Sequence, residues 1–240
     1  MSAIALYRDE GLVAYEKTHY ANGEQRAEIE AILSWYGKLK SKVLDLGCSG
    51  GLHALELAKR GHRVTGVDME PSAVALAVKR CERSGIKAEF RVLDLEREFP
   101  RGMGRFDLIY SLGNVIAHIA KKRLPSLLAE IGSSLGKRGI FLFDCLNIGD
   151  PFPEEIREEE LGITWQRRLD RESGEILLRG IFERVGVTQE FRVWGYTMGE
   201  MTELLREAGF ARMEVSPRLD FALSADEVRD TACLRYRARL

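Results

Sequence analysis

Between Lys42 and Cys145 the sequence alternates short strand-like runs with stretches of helical period, and this alternation constrains the fold more than any other feature. The strand-like runs are "KVLDL" (42–46), "RVTGVD" (63–68), "AEFRVLD" (88–94), "FDLIYSL" (106–112) and "GIFLFDC" (139–145). Between them lie "LHALELAKR" (52–60), stopped by Gly61, a helix opening at Pro71 and ending near Gly85, and another near 121–135. Pro suits a first helical position, and Gly suits the left-handed residue beyond the last one. Ahead of them, Ile29, Ile32, Leu33 and Tyr36 recur at helical spacing between Gly23 and Gly37. Strand–helix alternation of this kind predicts a doubly wound α/β core around a mostly parallel sheet, with ligands beyond the carboxyl ends of the strands.

After Pro153 the pattern changes. An acidic stretch, "EEIREEE", leads into "ITWQRRLD", "EILLRGIFERV" and "VTQEFRVWGYT", separated by Ser173-Gly174 and Gly186. Short turns between such runs predict an antiparallel ribbon. A helix over 198–208 with Gly209 after it, a strand "ARMEVS" and a last strand near 231–238 complete the chain.

At 240 residues the chain can bury a sizeable core, and one domain is expected. Its 36 Lys+Arg and 37 Asp+Glu leave a formal charge of −1, so nothing global draws it to nucleic acid or to anionic membranes; a small neutral or zwitterionic substrate fits better. Cys48, Cys81, Cys145 and Cys233 form no C-x-x-C pair, which argues against a disulfide framework and a structural zinc site. No His/Cys/Asp cluster has ligand spacing, and no metal is expected. The N-terminus shows no basic segment followed by a long apolar run, and the uncharged stretch Leu108–Ala120 is too short to span a bilayer. A cytoplasmic protein without export signal or anchor is the expectation.

The turn "GCSGG" (47–51) follows the first strand. A dinucleotide fingerprint would read G-x-G-x-x-G, because the second glycine lets the backbone close on a pyrophosphate. Neither Gly47 nor Gly50 has a glycine two positions on, and Asp45 stands just ahead, where its charge is unwelcome beside a pyrophosphate. A cofactor with a positive centre matches better.

The motif D-x-G-C-x-G-G after the first strand, with Asp68 ending the second, resembles the class I S-adenosylmethionine-dependent methyltransferases. The resemblance runs from about residue 24 to 240. It implies a Rossmann-like sheet with an antiparallel C-terminal strand and a ribbon inserted over the active site. The parts are then an N-terminal lid segment (1–23), a cofactor-binding core (24–150), a cap ribbon (151–197) and the C-terminal end of the core (198–240). It implies S-adenosylmethionine as cofactor, with Asp45, Gly47, Cys48 and Gly50 forming its turn. Asp68 would accept the ribose hydroxyls, with Met69 alongside. Asp94 would face the adenine amino group and Leu95 would offer backbone contacts. Ser111 and Leu112 lie at the end of the fourth strand. In the N-terminal segment, which carries Tyr7, Tyr15, His19 and Tyr20, Tyr20 is the candidate for the methionine end. Cys48 near a helix start could be a nucleophile, but the turn needs a small residue there and no fixed His base is evident. His53 is assigned no chemistry.

On the acceptor side, Ser111-Leu112-Gly113-Asn114 stands where amide- and adenine-modifying members carry N-P-P-Y, which counts against a base or glutamine amide. L-G-N followed by A-H, with Asn147 after the fifth strand, resembles the glycine and sarcosine N-methyltransferases and implies a small-molecule amine acceptor. Those enzymes run from the fifth strand into Asp-His-Arg-Asn; here Asp144-Cys145-Leu146-Asn147 lacks the arginine, which argues against glycine itself. Asn114 and His118 are the candidates for positioning the acceptor or handling its proton; His118 can equally be a helix residue with a satisfied hydrogen bond. The ribbon holds Trp165, Arg167, Arg168, Arg179, Arg184, Arg192, Trp194 and Tyr196. Alternation puts Arg192, Trp194 and Tyr196 on one face, which either closes over the acceptor or is a solvated sheet or homodimer contact. O-methylation, a cofactor-binding regulatory role without turnover, and a nucleotide-dependent oxidoreductase are the alternatives.

Overall fold

The computed structural model describes residues 11–13, 16–17, 24–37, 40–149, 152–219, 221 and 232–240. Helix α1 (Glu24–Tyr36) leads into β1 (Lys42–Leu46), α2 (Leu52–Lys59), β2 (Arg63–Asp68), α3 (Pro71–Ser84), β3 (Glu89–Val92) and β4 (Phe106–Ser111). A short 3-10 turn (Val115–His118) separates β4 from α4 (Leu124–Ser134), which runs directly into β5 (Leu135–Leu146). Then come β6 (Glu155–Glu158), β7 (Ile163–Leu169), β8 (Glu175–Phe182), β9 (Val187–Trp194), α5 (Met198–Glu207), β10 (Arg212–Ser216) and β11 (Cys233–Arg239).

The main sheet has the order β10-β11-β5-β4-β1-β2-β3. Strands β1 to β5 are parallel to their neighbours, whereas β11 is antiparallel to both β5 and β10. Chain order reverses between β1 and β4, the switch point at which an open α/β sheet leaves a crevice beyond its strand ends. Local signals place the helices as expected. Pro71 opens α3, Glu70 caps it by accepting from the Ser72 N–H, and Gly85 ends it in the left-handed conformation. Helix α5 starts with a reciprocal capping box between Thr197 and Glu200.

Strand alternation divides the core into two layers. Leu44, Leu46, Ile109, Phe141 and Phe143 face α4 and α5 and pack with Leu128, Ile131, Met201 and Leu205. Val43, Leu108, Tyr110, Ile140 and Leu142 face the opposite way, onto Ile29 and Ile32 of α1 and Ala54 and Leu57 of α2. By the same alternation Asp45 and Asp144 point to the α1/α2 side, among apolar neighbours.

The ribbon has four strands, one more than the sequence pattern predicts: β6 lies within the acidic "EIRE" and pairs antiparallel with β7. Its charged residues carry no apolar alternation, and pairing with β7 holds it in place. The ribbon order is β6-β7-β8-β9, and its inner face packs Ile163, Ile176, Phe182, Phe191 and Val193 onto Ala117, Leu146 and Ile148. No helix among the described residues is long and apolar enough to cross a membrane.

Candidate active site

The crevice opens where β1 enters its glycine turn. Gly47 has φ +81°, and a Cβ there would collide with Val115 of the 3-10 turn. A Cβ on Gly50 would collide with Arg80 and Glu16. The turn's own N–H groups are largely spent inside the protein. Gly47 and Cys48 both donate to the Val67 carbonyl (2.8 and 3.0 Å), Gly51 donates to the Cys48 carbonyl (2.9 Å), and Ser49 donates to Asp68 Oδ2 (2.8 Å). A phosphate-binding turn presents such groups outward to the anion.

Two carboxylates flank this turn. Asp45 is buried and accepts from the Tyr110 hydroxyl at 2.6 Å. Its burial drives its pKa up from 3.8 to about 7, against the opposing pull of the Tyr110 hydrogen bond. Asp68 takes one backbone N–H on each oxygen, Ser49 on Oδ2 and Glu70 on Oδ1 (2.9 Å). A carboxylate has about four lone-pair sites, so each oxygen retains capacity for another donor. Burial raises the Asp68 pKa as well, opposed by those N–H donors. Met69, next in the chain, is 64 % exposed. Asp94 accepts the Glu96 N–H (3.0 Å) and pairs with Arg97 at 3.3 Å, an ion pair open to solvent on the arginine side.

The thiol of Cys48 is buried, and burial with Asp45 and Asp68 nearby pushes its pKa well up, so it stays protonated. The nucleophile alternative therefore lacks its thiolate. His53 pairs with Glu28 of α1 at 2.7 Å. Ser111 is fully buried and its hydroxyl donates to the Leu46 carbonyl (3.1 Å). That side chain joins β4 to β1 rather than facing a ligand. Leu95 is buried in the core and its carbonyl accepts from Arg123 Nε (3.0 Å), so this carbonyl is engaged. Leu112 is half-buried against the α1/α2 layer. Tyr20 lies outside the described residues, as do Tyr7, Tyr15 and His19.

Asp144, at the end of β5, fixes the loop after β4. Its Oδ2 accepts the Gly113 N–H (2.9 Å) and its Oδ1 the Asn114 N–H (2.7 Å), while burial raises its pKa. Asn114 has φ +61°, a left-handed backbone this residue type tolerates, and its Oδ1 accepts the Cys233 thiol at 3.2 Å. His118, four residues on, meets the Phe191 ring edge-on at 6.0 Å. Burial lowers its pKa to about 4, so its imidazole is neutral at pH 7. Asn147 is buried, and its Oδ1 accepts the Gly149 N–H (3.1 Å).

The ribbon alternates as expected, but the face that packs inward is the other one. Phe191 and Val193 point inward, whereas Arg192 points to solvent, 73 % exposed, and pairs with Glu175 at 3.1 Å. Trp194 shares that outward alternation and packs beside the α4/α5 layer. Tyr196 has left the ribbon: it bridges Asn147 and its ring enters the same layer beneath Lys121 Nζ. Apolar content decides which face is inward, and Phe191 and Val193 outweigh an Arg between them. On β7 the inner face carries Trp165 and Arg167, on β8 Leu178.

Two groups at the site are not legible from motif spacing. Glu16 is buried and receives both Arg80 guanidinium nitrogens, at 2.9 and 2.6 Å, and Arg80 also donates to the Gly50 carbonyl (2.7 Å). This clasp ties the N-terminal segment, helix α3 and the glycine turn together. The other is Arg167, which is buried although charged.

Seven strands with an antiparallel final pair, a glycine turn after β1, Asp45 in β1 and Asp68 ending β2 make a Rossmann-like α/β fold, the fold of the methyltransferase structures that superpose on it. Residues 43–139 match the family model described as a methyltransferase domain. Over 106 residues the chain is 31 % identical to the ubiquinone biosynthesis O-methyltransferase of Azorhizobium caulinodans, covering 44 % of this chain and 40 % of that protein. Over 94 residues it is 43 % identical to the ribosomal protein L11 methyltransferase of Thermosipho africanus, covering 38 % and 34 %. The chain thus spans well under half the length of these curated relatives. Among solved structures, an S-adenosylmethionine-dependent methyltransferase from Clostridium acetobutylicum superposes with a TM-score of 0.71 at 15 % identity, over 95 % of this chain and 97 % of that one. The sugar N-methyltransferase KedS8 from a Streptoalloteichus species gives 0.66 at 18 %, over 97 % and 93 %. At these identities the likeness is one of fold.

Proposed function

We propose that the protein transfers the methyl group of S-adenosylmethionine to a small-molecule acceptor held between the loop after β4 and the inner face of the ribbon. The observation that carries this reading is the electrostatics of the glycine turn. Most of its N–H groups are consumed internally, and two carboxylates, Asp45 buried and Asp68 half-buried, stand beside it. Such a crevice disfavours a pyrophosphate and favours a cationic, phosphate-free cofactor, which supplies an already activated methyl group on a sulfonium. This also argues against a nucleotide-dependent oxidoreductase.

The roles of the chain's residues follow from their chemistry. Asp68 has lone pairs left for the two ribose hydroxyls. Asp45, its carboxyl pushed toward the neutral form by burial, takes its charged form when a cation is beside it. Met69 offers exposed apolar surface to a flat base, with Asp94 at hand for an exocyclic amino group, the exposed Arg97 pair being weak enough to yield. Gly47, bare of a side chain, lets Val115 pack directly against the turn. Asn114 and His118 border the acceptor. The neutral imidazole of His118 acts there as a hydrogen-bonding group. Holding the nucleophile in line, in a site from which the ribbon excludes water, is worth about 7–11 kcal/mol of barrier.

An amine nitrogen is the first reading of the acceptor, because the apolar cover of Ala117, Phe191 and Val193 presses an ammonium toward its neutral, nucleophilic form. A hydroxyl oxygen is the second reading, favoured by the identity to ubiquinone O-methyltransferases. Incubating the protein with methyl-labelled S-adenosylmethionine and a polar metabolite extract, followed by mass spectrometry, tests the function. A labelled small product, lost in Asp68→Ala, is expected; a cofactor-binding protein that labels nothing would overturn the reading in favour of a regulatory role.

A further inference from the structure

Arg167 is the one buried arginine of the ribbon, and its placement is costly. Its side chain is 5 % exposed, and Nε and both terminal nitrogens have no hydrogen-bond partner among the described residues. No carboxylate pairs with it there. Its guanidinium stacks on the Phe152 ring at 4.0 Å, which covers one face and leaves the hydrogen-bonding edge free. Desolvation lowers its pKa to about 10, so it remains charged at pH 7.

Its surroundings tie it to the acceptor side of the crevice. Arg167 lies near Cys233, whose neutral thiol donates to Asn114 Oδ1. Its neighbours along the inner face are Trp165, which contacts the Phe191 ring, and Phe191, which contacts His118. A buried cation with every donor idle is a costly structural element, since an apolar side chain would fill the same space without desolvating a charge. The same group is well suited to receive two oxygens in parallel.

We propose that Arg167 is the binding group for an oxyanion, a carboxylate or a phosphate, carried by the methyl acceptor. The proposal rests on the methyl-transfer reading for the identity of that ligand. It supplies in the ribbon the anion contact that the end of β5 lacks, and makes a zwitterionic amine or a hydroxylated acid the substrate class. The acceptor's anion is held beside Phe152, and its nucleophile reaches past Asn114 toward the cofactor crevice.

Thermal unfolding of the full chain with saturating S-adenosylhomocysteine tests this, using acetate, benzoate and phosphate as probes and neutral benzamide as control. At least one anion is expected to raise the wild-type Tm in a saturable way while benzamide does not. Arg167→Met is expected to weaken that anion at least tenfold, with Arg167→Lys between. Without any probe, Arg167→Met is expected to unfold at or above the wild-type temperature, the reverse of what a purely structural arginine would give. A response to acetate or benzoate assigns a carboxylate, and a response to phosphate alone assigns a phosphate. No response to any anion, a response surviving in Arg167→Met, or a lowered Tm in that variant overturns the proposal. Calorimetry with S-adenosylhomocysteine on the same proteins keeps the two readings apart: wild type that binds the anion but not this ligand overturns the methyl-transfer reading and leaves the anion site standing.

Discussion

Asp45 to Asn is the substitution whose consequence can be worked most fully from the structure. Burial raises the Asp45 pKa from 3.8 to about 7. A carboxyl raised in the folded state binds more protons folded than unfolded. Its stabilising contribution is therefore complete below about pH 4 and is lost as pH rises through about 7. Between pH 5 and pH 8 the loss is about 2–3 kcal/mol, at about 1.4 kcal/mol per unit of pKa difference. Asn keeps the shape and can still accept from Tyr110, but does not titrate. Asp68 and Asp144 are also raised by burial, so the wild-type profile alone sums several groups; subtracting the variant's profile isolates position 45. Urea unfolding followed by tryptophan fluorescence is the assay. The variant should gain about 2–3 kcal/mol on the wild type between pH 5 and pH 8, roughly 1 M in urea midpoint for a chain of this size. A difference flat to within about 0.5 kcal/mol would refute the buried, proton-holding carboxyl. A difference of opposite sign would place a cation against Asp45 in the unliganded protein.

Other perturbations probe the parts around it. Arg80→Met leaves the Glu16 carboxylate buried and unpaired, which costs about 3–5 kcal/mol; hydrogen exchange at residues 11–13, 16 and 17 should speed up, and unchanged exchange would show that the clasp does not hold them. Asp144→Ala strips the Gly113 and Asn114 N–H groups of their acceptor and should destabilise the fold by about 2–4 kcal/mol in urea unfolding, with a loss under about 1 kcal/mol counting against its role in fixing the loop.

The alternation of strands and helices was legible because each parallel strand and each crossover helix carries its own pattern and its own stop signal, as at Pro71 and Gly85. The glycine turn was legible in its spacing, since Gly47 is demanded by local backbone geometry and a close neighbour. β6 escaped because "EIRE" is kept extended by its partner strand rather than by apolar alternation. Which face of the ribbon turns inward was not legible for a related reason: pleating gives two sets of residues, and only the packing partner, here Ala117 and Leu146, decides between them. Ser111 stood at the right strand end, yet hydrogen bonding to Leu46 rather than position governs its side chain. The clasp between Glu16 and Arg80 joins residues distant in sequence through the fold alone. Arg167 was one arginine among several until its lack of a partner set it apart.

The central claim is that Asp68 and the closed glycine turn bind S-adenosylmethionine, and calorimetric titration of wild type and Asp68→Ala with that cofactor measures it directly. The account predicts saturable one-site binding to wild type, weakened in Asp68→Ala by about 100-fold, the worth of two hydrogen bonds to a charged group at about 1.5 kcal/mol each. Absence of binding to the wild-type protein, or equal affinity in the two proteins, would contradict it.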